Sequence, residues 1–248
     1  MWSPEMLILV IGTFLLAGTV KGVIGMALPT VSLGVLAATL GLKEAIVLML
    51  VPSFVTNVWQ GMVGGHLMAL MARLWLLLLA MLLATWFGAE ALKMPDTSGL
   101  EALLGVTLII YGVFGLVTPA MPAAGRREPW MSPLMGGATG VLAGLTGSTV
   151  LPVVPYLQTL GLQRDAFIQA MGICFSTAAL GIGLALGGRS LLPPDLGILS
   201  AIGVVPALIG MRFGQTIRQR LSEQRFKQVF FVSVIVLGAY IAARAYIF

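Results

Sequence analysis

The chain has 248 residues, of which 58% are apolar and only 9% are Asp, Glu, Lys or Arg. A soluble domain carries about 25% charged residues, so this composition excludes a water-facing surface of ordinary extent. The mean hydropathy of +1.02 agrees, and what remains is an all-α polytopic membrane protein. The formal net charge of +5 is small and scattered. It excludes a nucleic-acid partner and instead encodes orientation in the bilayer. Cys174 is the single cysteine, which excludes an intrachain disulfide and a multi-Cys metal site. The N-terminus does not read as a cleaved leader, because Glu5 stands where positive charge would be and the apolar run continues into further spans.

Ten hydrophobic stretches follow in chain order, at about 5–20, 22–40, 44–63, 70–92, 99–118, 131–146, 148–162, 166–187, 195–217 and 226–247. The first and the sixth are short and run almost unbroken into their successors. The breaks are Lys21-Gly22-Val23-Ile24-Gly25 and Gly144-Leu145-Thr146-Gly147-Ser148-Thr149. Each pair is predicted to be either two tilted spans or two half-helices meeting inside the membrane. With every stretch as one crossing, one side collects Lys21, Arg73, Arg126, Arg127, Arg164, Arg212, Arg218, Arg220, Arg225 and Lys227. The other collects Lys43, Lys93, Arg189 and Arg244. The positive-inside rule puts the first side in the cytoplasm and both termini outside. The result is the same if each doubtful pair re-enters.

The chain also repeats itself. Gly22 and Gly25 match Gly144 and Gly147 at a shift of 122, and Thr39-Leu40-Gly41-Leu42 matches Thr159-Leu160-Gly161-Leu162 at 120. Gly64-Gly65 matches Gly187-Gly188 at 123, Phe87-Gly88 matches Phe213-Gly214 at 126, and Gly112 matches Gly238 at that same shift. Pro29 and Pro152 agree within a residue. The repeats are 5–118 and 131–247, joined by a Pro- and charge-containing linker over 119–130. Each holds an odd number of crossings, so the second enters from the opposite face. That is the inverted repeat of many secondary transporters, with four to five helices each and broken or re-entrant helices at the repeat interface.

The chemistry is predicted at the breaks. Interrupting a helix in lipid frees backbone N–H groups that must find a partner, and a half-helix N-terminus attracts anions. The candidate substrate-binding residues are Lys21, Gly22 and Gly25 in the first half and Gly144, Thr146, Gly147, Ser148 and Thr149 in the second. Close helix packing through small residues is the competing reading of the glycines. Polar residues within spans add Asn57 and Gln60, i, i+3 neighbours beside Thr56, and in the second half Gln169, Thr177 and Ser176. These either bind substrate or tie helices together. Pro52 is predicted to kink the third stretch.

His66 is the only histidine and lies in a Gly-rich loop. No carboxylate lies deep in a span except Glu90, near the end of its stretch. Membrane hydrolases need a His-Glu-x-x-His pair, a paired-Asp site or a Ser with a His partner, so the chain is read as a non-enzyme, with no metal and no cofactor. Arg212 reads as positive-inside charge or as part of an electrostatic funnel for cytoplasmic anions.

Pro206-Ala207-Leu208-Ile209-Gly210-Met211-Arg212-Phe213-Gly214-Gln215, continuing through Arg220-Leu221 to Phe226, resembles the C-terminal signature of the TauE/SafE sulfite-exporter family, also called the toluene sulfonate uptake permeases. Gly18…Lys21-Gly22…Gly25…Pro29 and Gly140…Gly144-Leu145-Thr146-Gly147…Pro152 resemble the matching stretches of its two halves. The resemblance implies a bacterial inner-membrane carrier of sulfur-containing anions: sulfonates, sulfoacetate, sulfite, thiosulfate or related carboxylates. The first break, Gly25-Met26-Ala27-Leu28-Pro29, is bulkier than the family's Gly-rich run, which favours a substrate with a small apolar body. Cys174 matches no sulfur-relay motif. The leading expectation is a secondary carrier whose partners are a small anionic substrate and the lipid bilayer. Proton or sodium coupling and homo-oligomerisation stay open, and the rivals are an anion channel, a membrane enzyme or an assembly factor.

Overall fold

A computed structural model describes residues 2–117, 121–218 and 222–247. Arg220 and Leu221, used above for charge and resemblance, and the linker residues Pro119 and Ala120 lie outside them. The described residues form an all-helical protein: α1 (Pro4–Ile24), α2 (Leu28–Leu40), α3 (Leu42–Met62), α4 (Leu67–Gly88), α5 (Ser98–Val117), α6 (Glu128–Thr146), α7 (Val153–Gln158), α8 (Arg164–Gly188), α9 (Pro194–Ile202), α10 (Val204–Arg218) and α11 (Glu223–Ile247). Among the described residues seven helical segments are long and apolar enough to cross a membrane. The chain is therefore a multi-pass membrane protein.

The helix ends correct the sequence expectation at both breaks. The first member of each doubtful pair is the long one: α1 has 21 residues and α6 has 19. The second member is short, 13 residues in α2 and 6 in α7. Each helix runs on through the first glycine of its motif and stops at the second. Stretch 195–217 is also divided, into α9 and α10, around Gly203.

The chain forms two compact units. The first takes Met1–Pro52, Asp96–Thr118 and Leu192–Phe248, and the second takes Ser53–Pro95 and Pro119–Leu191. Each draws on both halves of the sequence. In the first unit α1 packs along α10, α5 along α11, and α2 against α1 and α11. In the second α4 packs along α6 and also meets α8.

Glycines explain why these helices can lie so close. A Cβ on Gly22 would sit 2.3 Å from the Met211 carbonyl oxygen and 2.9 Å from the Gly214 Cα, and one on Gly214 would sit 2.1 Å from the Thr19 oxygen. In the second unit a Cβ on Gly144 would lie 2.6 Å from the Thr85 oxygen, and one on Gly88 the same distance from the Val141 oxygen. No side chain fits at such distances, so the backbones touch, as small-residue stripes allow in membranes. Gly22 and Gly144 are one matched pair of the repeat, and Gly88 and Gly214 are another. In each unit a member of the first pair meets a member of the second.

Within the first unit a proline gap is repaired from another helix. Pro52 has no N–H, so the Leu48 carbonyl four residues earlier loses its helical donor. The buried Ser200 hydroxyl of α9 donates to that carbonyl at 2.7 Å and accepts from the Val51 N–H at 3.1 Å. α3 accordingly stays helical through Pro52. Ser200→Ala leaves the carbonyl without this donor and should cost about 1–3 kcal/mol. The expected result is a clearly lower melting temperature in detergent. An unchanged value would mean that Leu48 finds another donor.

Candidate functional site

The first break begins where Gly25 takes up φ 90°, its N–H returning to the Lys21 carbonyl at 2.7 Å. That left-handed backbone is what a glycine after a helix supplies. Two residues later Ala27 also has φ 92°. A left-handed non-glycine residue stores strain of about 1–3 kcal/mol, and such residues cluster at functional sites. Ala27 is the N-cap of α2 and offers no side-chain cap, and Pro29 follows within the first turn. The first turn of α2 therefore keeps donors that the helix itself does not use. Thr30, in that turn, is 4% exposed, and its hydroxyl has no hydrogen-bond partner among the described residues. Met26 is held from the side by the Tyr111 hydroxyl of α5, which donates to its sulfur at 3.4 Å.

Lys21 is 2% exposed and stands in the last turn of α1, where a cation complements the carbonyl end of the helix. Gly22 lies within α1 and serves the contact with α10.

The second break has the same start. Gly147 takes φ 75° and returns its N–H to the Ala143 carbonyl at 2.8 Å, while Gly144 stays in α6 against α4. Thr146 donates its hydroxyl to the Leu142 carbonyl at 2.7 Å and accepts from the Ser148 N–H at 3.2 Å. That bond turns the chain out of the helix. Ser148 and Thr149 follow at 4% and 5% exposure, and neither hydroxyl has a partner among the described residues. A buried unpaired hydroxyl costs about 1–3 kcal/mol, and such groups in folded proteins call for a reason, a bound ligand among them. Both breaks thus present unsatisfied buried hydroxyls, with Thr30 on one and Ser148 and Thr149 on the other. Ser53 in α3 carries a further one.

Two of the amides in the spans bond to backbone groups of a neighbouring segment. Gln60 donates to the Ile168 carbonyl at 2.8 Å. Gln169 donates to the Gly61 carbonyl at 2.8 Å and accepts from the His66 N–H at 3.0 Å. The two glutamines tie α8 to the end of α3 and the loop after it. Asn57 is buried. Thr177 is half-buried and bonds to the Ile173 carbonyl of its own helix at 3.0 Å, as Ser176 does to Gly172 at 2.7 Å.

Charged residues at the helix ends are mostly braces. Arg73 grips Glu128 with bonds of 2.6 and 2.8 Å and reaches the Leu160 carbonyl at 3.1 Å. Arg189 bonds to Glu90 at 2.9 Å and to the Trp86 carbonyl at 2.8 Å, with its guanidinium 4.4 Å from the centre of the Trp86 ring. Glu90 also pairs with Lys93. It is an exposed counter-ion and not a buried proton carrier. Arg212 is exposed on α10.

Thr30 was missed in the sequence. Its signal was a hydroxyl directly after Pro29, in the first turn of a helix that follows a glycine break.

Comparison with known proteins places the chain. The profile of the sulfite exporter TauE/SafE family matches residues 10–241, nearly the whole length, and the chain belongs to that family of membrane transporters. No curated protein and no solved structure matches it.

Proposed function

We propose that this member of the sulfite-exporter family is a secondary transporter of small sulfur-containing organic or inorganic anions, working by alternating access, with an anion held at a half-helix N-terminus. The observation that carries this reading is the set of buried hydroxyls without partners among the described residues, Thr30 at one break and Ser148 and Thr149 at the other. An oxyanion accepts hydrogen bonds only, and a hydroxyl is a neutral donor that can be buried without the large cost of burying a charge. First-turn N–H groups of α2 add donors of the same kind. The apolar Met26 and Ala27 favour an anion with a small carbon body, such as a sulfonate, over bare sulfite. The matched breaks in the two sequence halves support inverted repeats.

The test is a thermal-shift series on the purified protein with sulfonates, sulfoacetate, sulfite, thiosulfate and short carboxylates. A specific binder raises the melting temperature by mass action. Small sulfonates should shift it at the lowest concentration, and in proteoliposomes the same ligand should show saturable counter-exchange. A flux that never saturates would favour a channel, and no shift with any sulfur anion would overturn the reading.

Orientation is part of the proposal, with both termini outside an inner membrane. Cys174 is fully buried, so added cysteines can be read over a low background. Ser3→Cys and Phe248→Cys should react with a membrane-impermeant thiol reagent in intact cells, and Arg126→Cys should not. Reaction at 126 with both termini protected would reverse the orientation.

A further inference from the structure

A groove in the first unit has a use that anion transport does not require. Leu16 and Val20 of α1, Val31 and Val35 of α2, and the face of α11 from Phe226 to Leu237 line a cavity of about 300 Å³. Its walls are hydrocarbon apart from Ser233. At 1.5 Å per residue that face of α11 runs for about 16 Å, close to half of the roughly 30 Å hydrocarbon thickness of a bilayer. The groove therefore has the length of one leaflet. Its apolar lining and its leaflet length suit an extended hydrocarbon chain lying along it.

The groove has one charged end. Phe226, at its N-terminal limit on α11, is flanked in sequence by Arg225 and Lys227. Arg225 is exposed and Lys227 half-buried. Basic residues at the end of an apolar groove are the arrangement that binds anionic lipid headgroups. We propose that the groove between α1, α2 and α11 holds one acyl chain of an anionic phospholipid, whose headgroup phosphate is met by Arg225 and Lys227. The apolar walls supply the fit and the two cations supply the choice among lipids.

The test uses the full-length purified protein incubated with equal amounts of phosphatidylglycerol and phosphatidylcholine bearing the same acyl chains, with retained lipid read by native mass spectrometry. Two basic residues at the headgroup correspond to a preference on the order of tenfold or more for the anionic lipid. The R225Q/K227Q double variant should bring the two lipids to near parity while still retaining some of each. Ser233→Trp, at an exposed position inside the groove, should lower retention of both lipids severalfold with the melting temperature of lipid-free protein unchanged. Equal retention by the wild type would overturn the proposal, as would a preference that survives the double variant. So would competition by glycerol phosphate as strong as that of the whole lipid, or a dimer whose formation expels the lipid.

Discussion

Gly147→Val and Gly25→Val are expected to abolish transport while leaving the protein folded in the membrane. Both glycines hold left-handed backbone, φ 75° and φ 90°, and a β-branched residue there is a steric outlier. The left-handed form costs an L-residue roughly 1–2 kcal/mol, small beside a total stability of about 5–15 kcal/mol. The fold survives, but the break relaxes away from that geometry, and the hydroxyls that follow it lose their positions. The neighbouring glycines give the contrast. Gly144→Val would push a side chain into the backbone at the end of α4, where the nitrogen of Ala89, the next residue, lies only 2.5 Å from the ideal Cβ position. Gly22→Val would do the same against α10. Such overpacking costs typically 1–3 kcal/mol and more where backbone must move, so these two variants should fail first in yield and melting temperature. Uptake of a labelled sulfonate, normalised to protein in the membrane, separates the cases. Near-normal uptake in both Gly25→Val and Gly147→Val would reduce those glycines to helix punctuation.

That contrast shows where sequence reading stopped. The Gly-x-x-Gly motifs were visible, and so was their repetition, but the two glycines within each motif were not distinguishable. One lacks a Cβ because another backbone passes over it, and the other because its own φ is positive, and nothing local in the sequence tells these apart. The first apolar stretch, 5–20, therefore stops four residues short of the end of α1 at Ile24, whereas the stretch 131–146 ends where α6 does. Apolar stretch 148–162 reads as one span or as a half-helix, because hydropathy records only that residues avoid water. It contains a non-helical hydroxyl segment and the short α7. Pro52 was visible as a gap in α3, but its repair by Ser200 depends on a partner 148 positions away. The polar residues in spans read equally as substrate ligands or as scaffold, and for Gln60 and Gln169 the structure adds bonds to backbone that no local pattern predicts. The family signature around Pro206–Gln215 acquires a physical basis too. Ala207, Gly210 and Gly214 are its small residues, and they face Gly18, Leu15 and Thr19 of α1.

Removing one hydroxyl at the second break should weaken substrate binding more than removing any exposed cation. Ser148 is buried beside a glycine cap, and its hydroxyl has no partner to fall back on among the described residues. A bond from such a group to a charged oxyanion contributes about 1.5–3 kcal/mol, so Ser148→Ala should raise the Kd of the best sulfonate at least tenfold. Thr149→Val keeps the shape of the side chain and removes the same kind of donor, and it should act in the same direction. Adjacent donors on one ligand are not additive, so the double variant is expected to fall short of the summed effect. Arg212 offers the opposite case. It is exposed on α10, and a rim charge acts on association rate and salt dependence more than on affinity. Arg212→Gln should leave the Kd within about twofold and flatten the dependence of uptake rate on ionic strength. Equilibrium binding of one sulfonate to the three single variants, together with its uptake rate at two salt concentrations, measures both effects. Binding eliminated by Arg212→Gln and untouched by Ser148→Ala would place the anion on arginine and remove the helix break from the site.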